Sequence, residues 1–181
     1  MDDSYRWINA DVKTYEQDCE NLINLWSQIS EYFKDYDERL LFEATNEIMN
    51  TDKIWDWGVS WDDFRVVHDL DQEFINTVRA TGGKNASRYL VLSTWGASPD
   101  TCQIENLFYK DFTDSIPNHL IISVHSYTTD SATIQYIFSN FVEYDIIFLC
   151  NMCISFTIQF NEICLAAIEI RLMTIEIRFR D

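Results

Sequence analysis

Basic residues are scarce in this 181-residue chain: 13 Lys and Arg stand against 30 Asp and Glu, a formal net charge of −17. Such a surplus of negative charge repels nucleic-acid phosphates and anionic lipid headgroups, so a neutral or cationic partner is expected, with no role at nucleic acid or membrane. A secretory signal is missing as well, because Met1-Asp2-Asp3-Ser4-Tyr5-Arg6 has neither a basic start nor an apolar stretch. Long apolar runs are also absent. The longest uncharged one, Ile146 to Asn161, is broken by Asn151, Ser155, Thr157 and Gln159 and falls short of the roughly 20 residues a membrane span needs, so it reads as buried strand. The five cysteines are an odd number without disulfide-framework spacing. Cys150-Asn151-Met152-Cys153 is formally a C-x-x-C, yet no second pair or nearby histidine completes a zinc site, and core thiols are the reading.

What is present is the patterning of a globular domain, with 47% hydrophobic and 15% aromatic residues. Between Asp11 and Phe33, Val12, Tyr15, Cys19, Leu22, Ile23, Leu25, Trp26, Ile29 and Phe33 recur at three- and four-residue steps, which predicts an amphipathic helix. After a polar connector, Leu40 to Thr45 predicts a short buried strand. Trp61 to Thr81 predicts a second amphipathic helix, stopped by Gly82-Gly83. Arg88 to Thr94 and Leu120 to Val124 predict two further strands. Between the first strand and the second helix, Trp55, Trp57 and Trp61 either present aromatic faces to a ligand or cover the end of a core. Asn85-Ala86-Ser87 matches an N-glycosylation acceptor, which matters only to an exported chain.

Near-continuous apolar strands alternating with helical segments imply a parallel sheet of βαβ units, in which chemistry gathers at the C-terminal strand ends. Those ends carry Asn46-Glu47, Thr94-Trp95 and His125-Ser126-Tyr127. A carboxylate, an indole, an imidazole and a phenol are thus expected on one rim. Near residue 130 the character changes. All Gly, Pro, Trp and His lie before that point, and Phe141 to Asp181 is rich in Ile, Phe and Cys without any of them or Lys. The expected organisation is a domain over residues 1–130 and an atypical apolar tail over 131–181 that forms no separate domain.

Glu47 is the leading candidate for chemistry. Hydrolysis of a glycosidic bond needs two carboxylates, one donating a proton and one attacking carbon or activating water, about 5–5.5 Å apart in retaining enzymes. Glu43 is not that partner, since four residues along a strand span about 13 Å. It is expected deeper, beside a buried polar group.

Four blocks resemble glycoside hydrolase family 5, the endoglucanase or cellulase type. They are Phe33-Lys34-Asp35-Tyr36-Asp37-Glu38-Arg39-Leu40-Leu41-Phe42-Glu43-Ala44-Thr45-Asn46-Glu47, Phe74-Ile75-Asn76-Thr77-Val78-Arg79-Ala80-Thr81-Gly82-Gly83-Lys84-Asn85, Tyr89-Leu90-Val91-Leu92 and Val124-His125-Ser126-Tyr127. Their order and spacing agree too, over roughly Tyr5 to Thr129. The resemblance implies an α/β fold that is part of a (β/α)8 TIM barrel, about strands 4 to 6 with their helices, and retaining hydrolysis of internal β-1,4 linkages in cellulose or related β-glucan. By the same resemblance Glu47 is the acid/base and Asn46 contacts the sugar 2-hydroxyl. His125 and Tyr127 line the catalytic subsite, and Trp95 is a looser match for a sugar platform. No metal or organic cofactor is implied, the partner is a β-glucan polysaccharide or oligosaccharide, and the family is extracellular.

The family's nucleophile is a Glu on a later strand, usually beside Gly, and no Gly follows Gly96 here. Glu162 is the least poor substitute, ahead of Glu143, Glu169 and Glu176. The alternative expectation is therefore a truncated barrel that binds β-glucan without turning it over. The earlier barrel strands are expected to lie outside this sequence, leaving sheet edges that favour association.

Overall fold

The computed structural model describes residues 7–52, 54–55, 59–126 and 147–152. The first apolar stripe folds as α1 (Tyr15–Phe33), with Leu22 and Trp26 buried. It begins four residues later than the periodicity predicts, because the Asp11 carboxylate accepts the Lys13 N–H (2.9 Å) and the Thr51 hydroxyl (2.8 Å) in a local turn that competes with helix. Those two bonds also hold the Asp11 carboxyl below its ordinary range. Trp26 anchors the helix to the sheet: its Nε1–H donates to Ala44 O at 3.2 Å, and its ring meets Phe74 edge-on at 4.6 Å.

Chain direction then reverses into β1 (Phe42–Glu43), and α2 (Trp61–Ala80) follows. Ser60 caps α2, its hydroxyl accepting the Asp63 N–H at 3.0 Å, with Asp62 and Asp63 in the first turn. The helix ends where predicted, at Gly82 and Gly83 with φ of 67° and 57°. A Cβ on Gly83 would sit 3.1 Å from the Lys34 carbonyl, which accepts the Lys84 N–H at 2.8 Å, so the close approach of the two connectors requires glycine there.

Beyond α2 come β2 (Leu90–Ser93), α3 (Thr101–Leu107), β3 (Leu120–Ser126) and β4 (Ile147–Met152). The four strands form one sheet in the order β1-β2-β3-β4, every pair parallel. β4 lies within the run predicted as strand, and the sheet thus continues past residue 130, with Ile121 opposite Ile147 and His125 opposite Asn151. The remainder of that run, Cys153 of the C-x-x-C and Glu143, Glu162, Glu169 and Glu176 lie outside the described residues.

Strand side chains alternate between two faces. Phe42, Ala44, Leu90, Leu92, Ile122 and Val124 join α1, α2 and α3 in the main core, whereas Val91 and Ile121, with Leu41 and Tyr89 beside them, form a smaller cluster on the opposite face. Alternation also explains one difference from the expectation. Glu43 is exposed rather than buried beside a polar partner, because its neighbours Phe42 and Ala44 take the core-facing positions.

The N-terminal ends of the strands are tied by a buried polar network. Arg88, 1% exposed, donates to the carbonyls of Phe33, Tyr36, Asp37 and Leu40 and, through Nε, to Asn85 Oδ1 at 2.7 Å. Arg79 grips Asp114 through two bonds of 2.7 and 2.8 Å. Asn85 is fully buried, its Nδ2 donating to Ser30 O at 2.8 Å. The glycosylation acceptor matched in the sequence is therefore inaccessible in the folded chain.

Candidate active site

Only a sheet of parallel neighbours brings residues 47 and 125 together. Glu47 follows β1, His125 lies near the end of β3, and His125 Nδ1 stands 2.7 Å from Glu47 Oε1 across a sequence separation of 78. The pair is partly accessible, with 11% of the imidazole and 27% of the carboxylate side chain exposed. One proton is shared in this geometry. With the carboxylate ionised, Nδ1–H donates to Oε1; with the carboxyl protonated, its O–H donates to a bare Nδ1. Such a group can release a proton to an adjacent oxygen and recover it.

Behind the pair lies a hydroxyl bridge. Ser93 Oγ donates to Asn46 O at 3.1 Å and is 3.3 Å from Thr45 Oγ1, so the last residue of β2 holds the two residues that precede Glu47. The Ser93 N–H donates in turn to the carboxyl of Asp71, an acid 1% exposed on the core side of α2. Burial pushes the Asp71 pKa well above the carboxylate range, the Ser93 N–H opposing only in part.

Asn46 and Glu47 thus stand at the predicted rim with His125, while Tyr127 lies outside the described residues. Trp95 does not fit the platform predicted for it. It is 1% exposed, its Nε1–H is donated to Ile54 O at 3.1 Å, and its ring packs edge-on to Phe64 at 5.1 Å. An indole enclosed in the core offers no face to a sugar. Of the aromatic loop, Trp55 is instead 56% exposed and Trp61 60%. His68 is a core residue, its Nδ1 2.6 Å from Leu107 O and its ring stacked on Phe112, and burial lowers its pKa. Among the described residues no group of three or more His, Cys, Asp or Glu could hold a metal ion.

The profile of the family described as Cellulase (glycosyl hydrolase family 5) matches residues 3–147. The chain belongs to glycosyl hydrolase family 5. Among its relatives is Endoglucanase B of Neocallimastix patriciarum, 34% identical over 123 residues, covering 67% of this chain and 25% of the relative. Another is a xyloglucan-specific endo-beta-1,4-glucanase of Bacteroides ovatus, 34% identical over 130 residues, covering 71% of this chain and 25% of the relative. In three dimensions the fold matches a family 5 enzyme of Prevotella bryantii B14, in complex with a xyloglucan tetradecasaccharide, at a TM-score of 0.73 and 34% identity over 80% of this chain and 46% of that one. The chain spans about a quarter of the length of these curated relatives and under half of the solved chain. Both the family resemblance and the partial TIM barrel read from the sequence are borne out.

Sequence reasoning missed Ser93, Asp71 and the contrast between Trp55 and Trp95. A signal existed for two of them. Thr45 and Ser93 are polar at strand positions where apolar residues otherwise prevail, and Asp71 falls four residues after Val67 on the apolar stripe of α2. Nothing local distinguishes the two tryptophans, because the acceptor of the Trp95 N–H lies 41 residues away.

Proposed function

We propose that this family 5 chain hydrolyses internal β-1,4-glucosidic bonds of cellulose or a related β-glucan by a retaining two-carboxylate mechanism, with Glu47 as acid/base. The observation that carries the reading is the 2.7 Å contact of Glu47 with His125 at the C-terminal strand ends. In the first step Glu47 donates its proton to the glycosidic oxygen as the bond to the anomeric carbon breaks. In the second it takes a proton from the water that releases the sugar from the nucleophilic carboxylate. His125 holds the carboxyl oxygen in place and shares its proton. Asn46 is proposed to contact the sugar 2-hydroxyl, and Tyr127 to line the same subsite as His125. At the described strand ends Glu47 is the carboxylate present, and the nucleophile is proposed to come from outside the described residues. The β-glucan substrate is inferred from the endoglucanase and xyloglucanase relatives, and the family's usual setting suggests an extracellular location.

The test is release of reducing ends from carboxymethyl cellulose or barley β-glucan, abolished in Glu47→Gln. Robust turnover that survives this substitution would reject the assignment. A second reading is glucan binding without turnover. Calorimetric binding of cello-oligosaccharides with no reducing ends after long incubation would select it.

A further inference from the structure

We infer that Asp71, a buried carboxyl on α2, is a positioning residue for Glu47: it takes the backbone N–H that would otherwise continue the pairing of β1 with β2. This rests on the acid/base role proposed for Glu47 and adds a residue that touches neither the substrate nor the Glu47–His125 pair. β1 and β3 are not neighbours in the sheet, so the contact of Glu47 with His125 crosses the end of β2. Strands that flank a third lie about 9.5 Å apart in an unbroken sheet. Side chains standing perpendicular to the sheet do not close that gap by themselves. The chain after β1 has to lean over β2.

The rungs show where β1 lets go. Ala44 donates its N–H to Val91 O at 2.9 Å, and the register ends at Glu43 opposite Val91. In a parallel ladder the next rung joins the Ser93 N–H to the Ala44 carbonyl. Side chains from two helices take both atoms: Trp26 of α1 donates its indole N–H to Ala44 O at 3.2 Å, and the Asp71 carboxyl accepts the Ser93 N–H. Ser93 instead meets the chain after β1 through its hydroxyl, 3.3 Å from Thr45 Oγ1 and donating to Asn46 O at 3.1 Å. Backbone pairing is thus exchanged for side-chain contacts at the two residues before Glu47, which frees the chain to turn toward β3. Asp71 is 1% exposed, and its Oδ2 meets no hydrogen-bond partner among the described residues. Such a group is a liability to stability. What it supplies in return is the interruption of the ladder.

The test begins with the parent protein. NMR is expected to show a scalar coupling across the hydrogen bond from the Ser93 amide nitrogen to the Asp71 side-chain carboxyl carbon; a coupling to the Ala44 carbonyl carbon in its place would overturn the proposal. Asp71→Leu, which removes the acceptor at similar volume, is expected to move the His125 ring signals at fixed pH. Asp71→Asn keeps an acceptor oxygen and is expected to hold them at the parent position. In activity, a misplaced proton donor harms only the departure of a group that needs the proton. For Asp71→Leu, kcat/KM on cellohexaose is expected to fall about ten- to a hundredfold. With 2,4-dinitrophenyl β-cellobioside, whose phenolate leaves without a proton, kcat/KM is expected to change by less than about twofold. Asp71→Asn should restore turnover of cellohexaose. Unmoved His125 signals in Asp71→Leu, or equal losses on the two glycosides, would overturn the positioning role and leave the proposed function standing. A parent that hydrolyses neither glycoside, with the coupling and the His125 shifts as expected, would overturn the hydrolase reading and leave the positioning of the pair.

Discussion

Each end of the sheet carries a pair of oppositely chargeable side chains, and the two ends use them differently. At the N-terminal strand ends Arg79 and Asp114 are 8% and 6% exposed and doubly bonded, and Arg88 beside them spends its guanidinium on backbone carbonyls. At the C-terminal ends His125 and Glu47 stand 2.7 Å apart and the carboxylate keeps 27% of its surface exposed. A fully enclosed charge pair holds connectors together. A pair that reaches solvent can exchange a proton with an adjacent oxygen. The enclosed pair and the accessible one lie at opposite ends of the sheet, the arrangement expected for this architecture.

The sharpest way to break that division is at Glu47. Glu47→Gln is expected to lower glucan hydrolysis by about 10²- to 10⁴-fold, the contribution of a positioned proton donor, with the free energy of urea unfolding changed by under about 0.5 kcal/mol. A large loss of stability would show that the upper pair is structural too. Asp114→Ala should do the reverse, costing about 3–5 kcal/mol because it leaves Arg79 buried without its counter-charge; urea unfolding at neutral pH measures it.

Asp71→Asn probes the layer between the two ends. Its folded-state pKa is raised by burial, so below the unfolded value of about 3.9 both states hold the proton and the variant should match the parent. Above that value only the unfolded chain ionises, and the parent loses stability as pH rises while the variant does not. An advantage of about 1–3 kcal/mol for Asp71→Asn at pH 7, vanishing near pH 4, is expected from denaturant melts at the two pH values. The smallest effect is predicted for Ser93→Ala, about 1 kcal/mol for the lost hydroxyl bridge. Its more telling readout is the NMR chemical shift of the His125 ring at one fixed pH, which should move once Asn46 and Glu47 lose their tether. An unmoved His125 signal would mean that the bridge stabilises the sheet without positioning the pair.

Local chemistry made the helices legible: Ser60 and the paired glycines bracket α2, and the three-and-four stripe marks α1. Their strand-end positions marked Glu47 and His125 as candidates, and only the family resemblance gave them the roles of acid/base and subsite residue. Features decided by distant partners were not legible. The family resemblance implies a sugar platform at Trp95, by a looser match, yet its indole N–H donates to a carbonyl 41 residues away and the ring lies in the core. Glu43 was misread because the run Leu40 to Thr45 was taken as wholly buried. Period-two alternation with Phe42 and Ala44 would have sent it outward.

Arg88 also couples the two α/β units. Its four carbonyl partners lie 48 to 55 residues upstream. Two of them, Phe33 O and Asp37 O, already accept the local N–H groups of Tyr36 and Leu40, so the guanidinium adds a long-range tie to turns the connector makes by itself. Closing a loop of that length costs entropy that these bonds help to offset. The approach to β1, and through it to Glu47, is therefore held in part by a residue of the next unit along the chain.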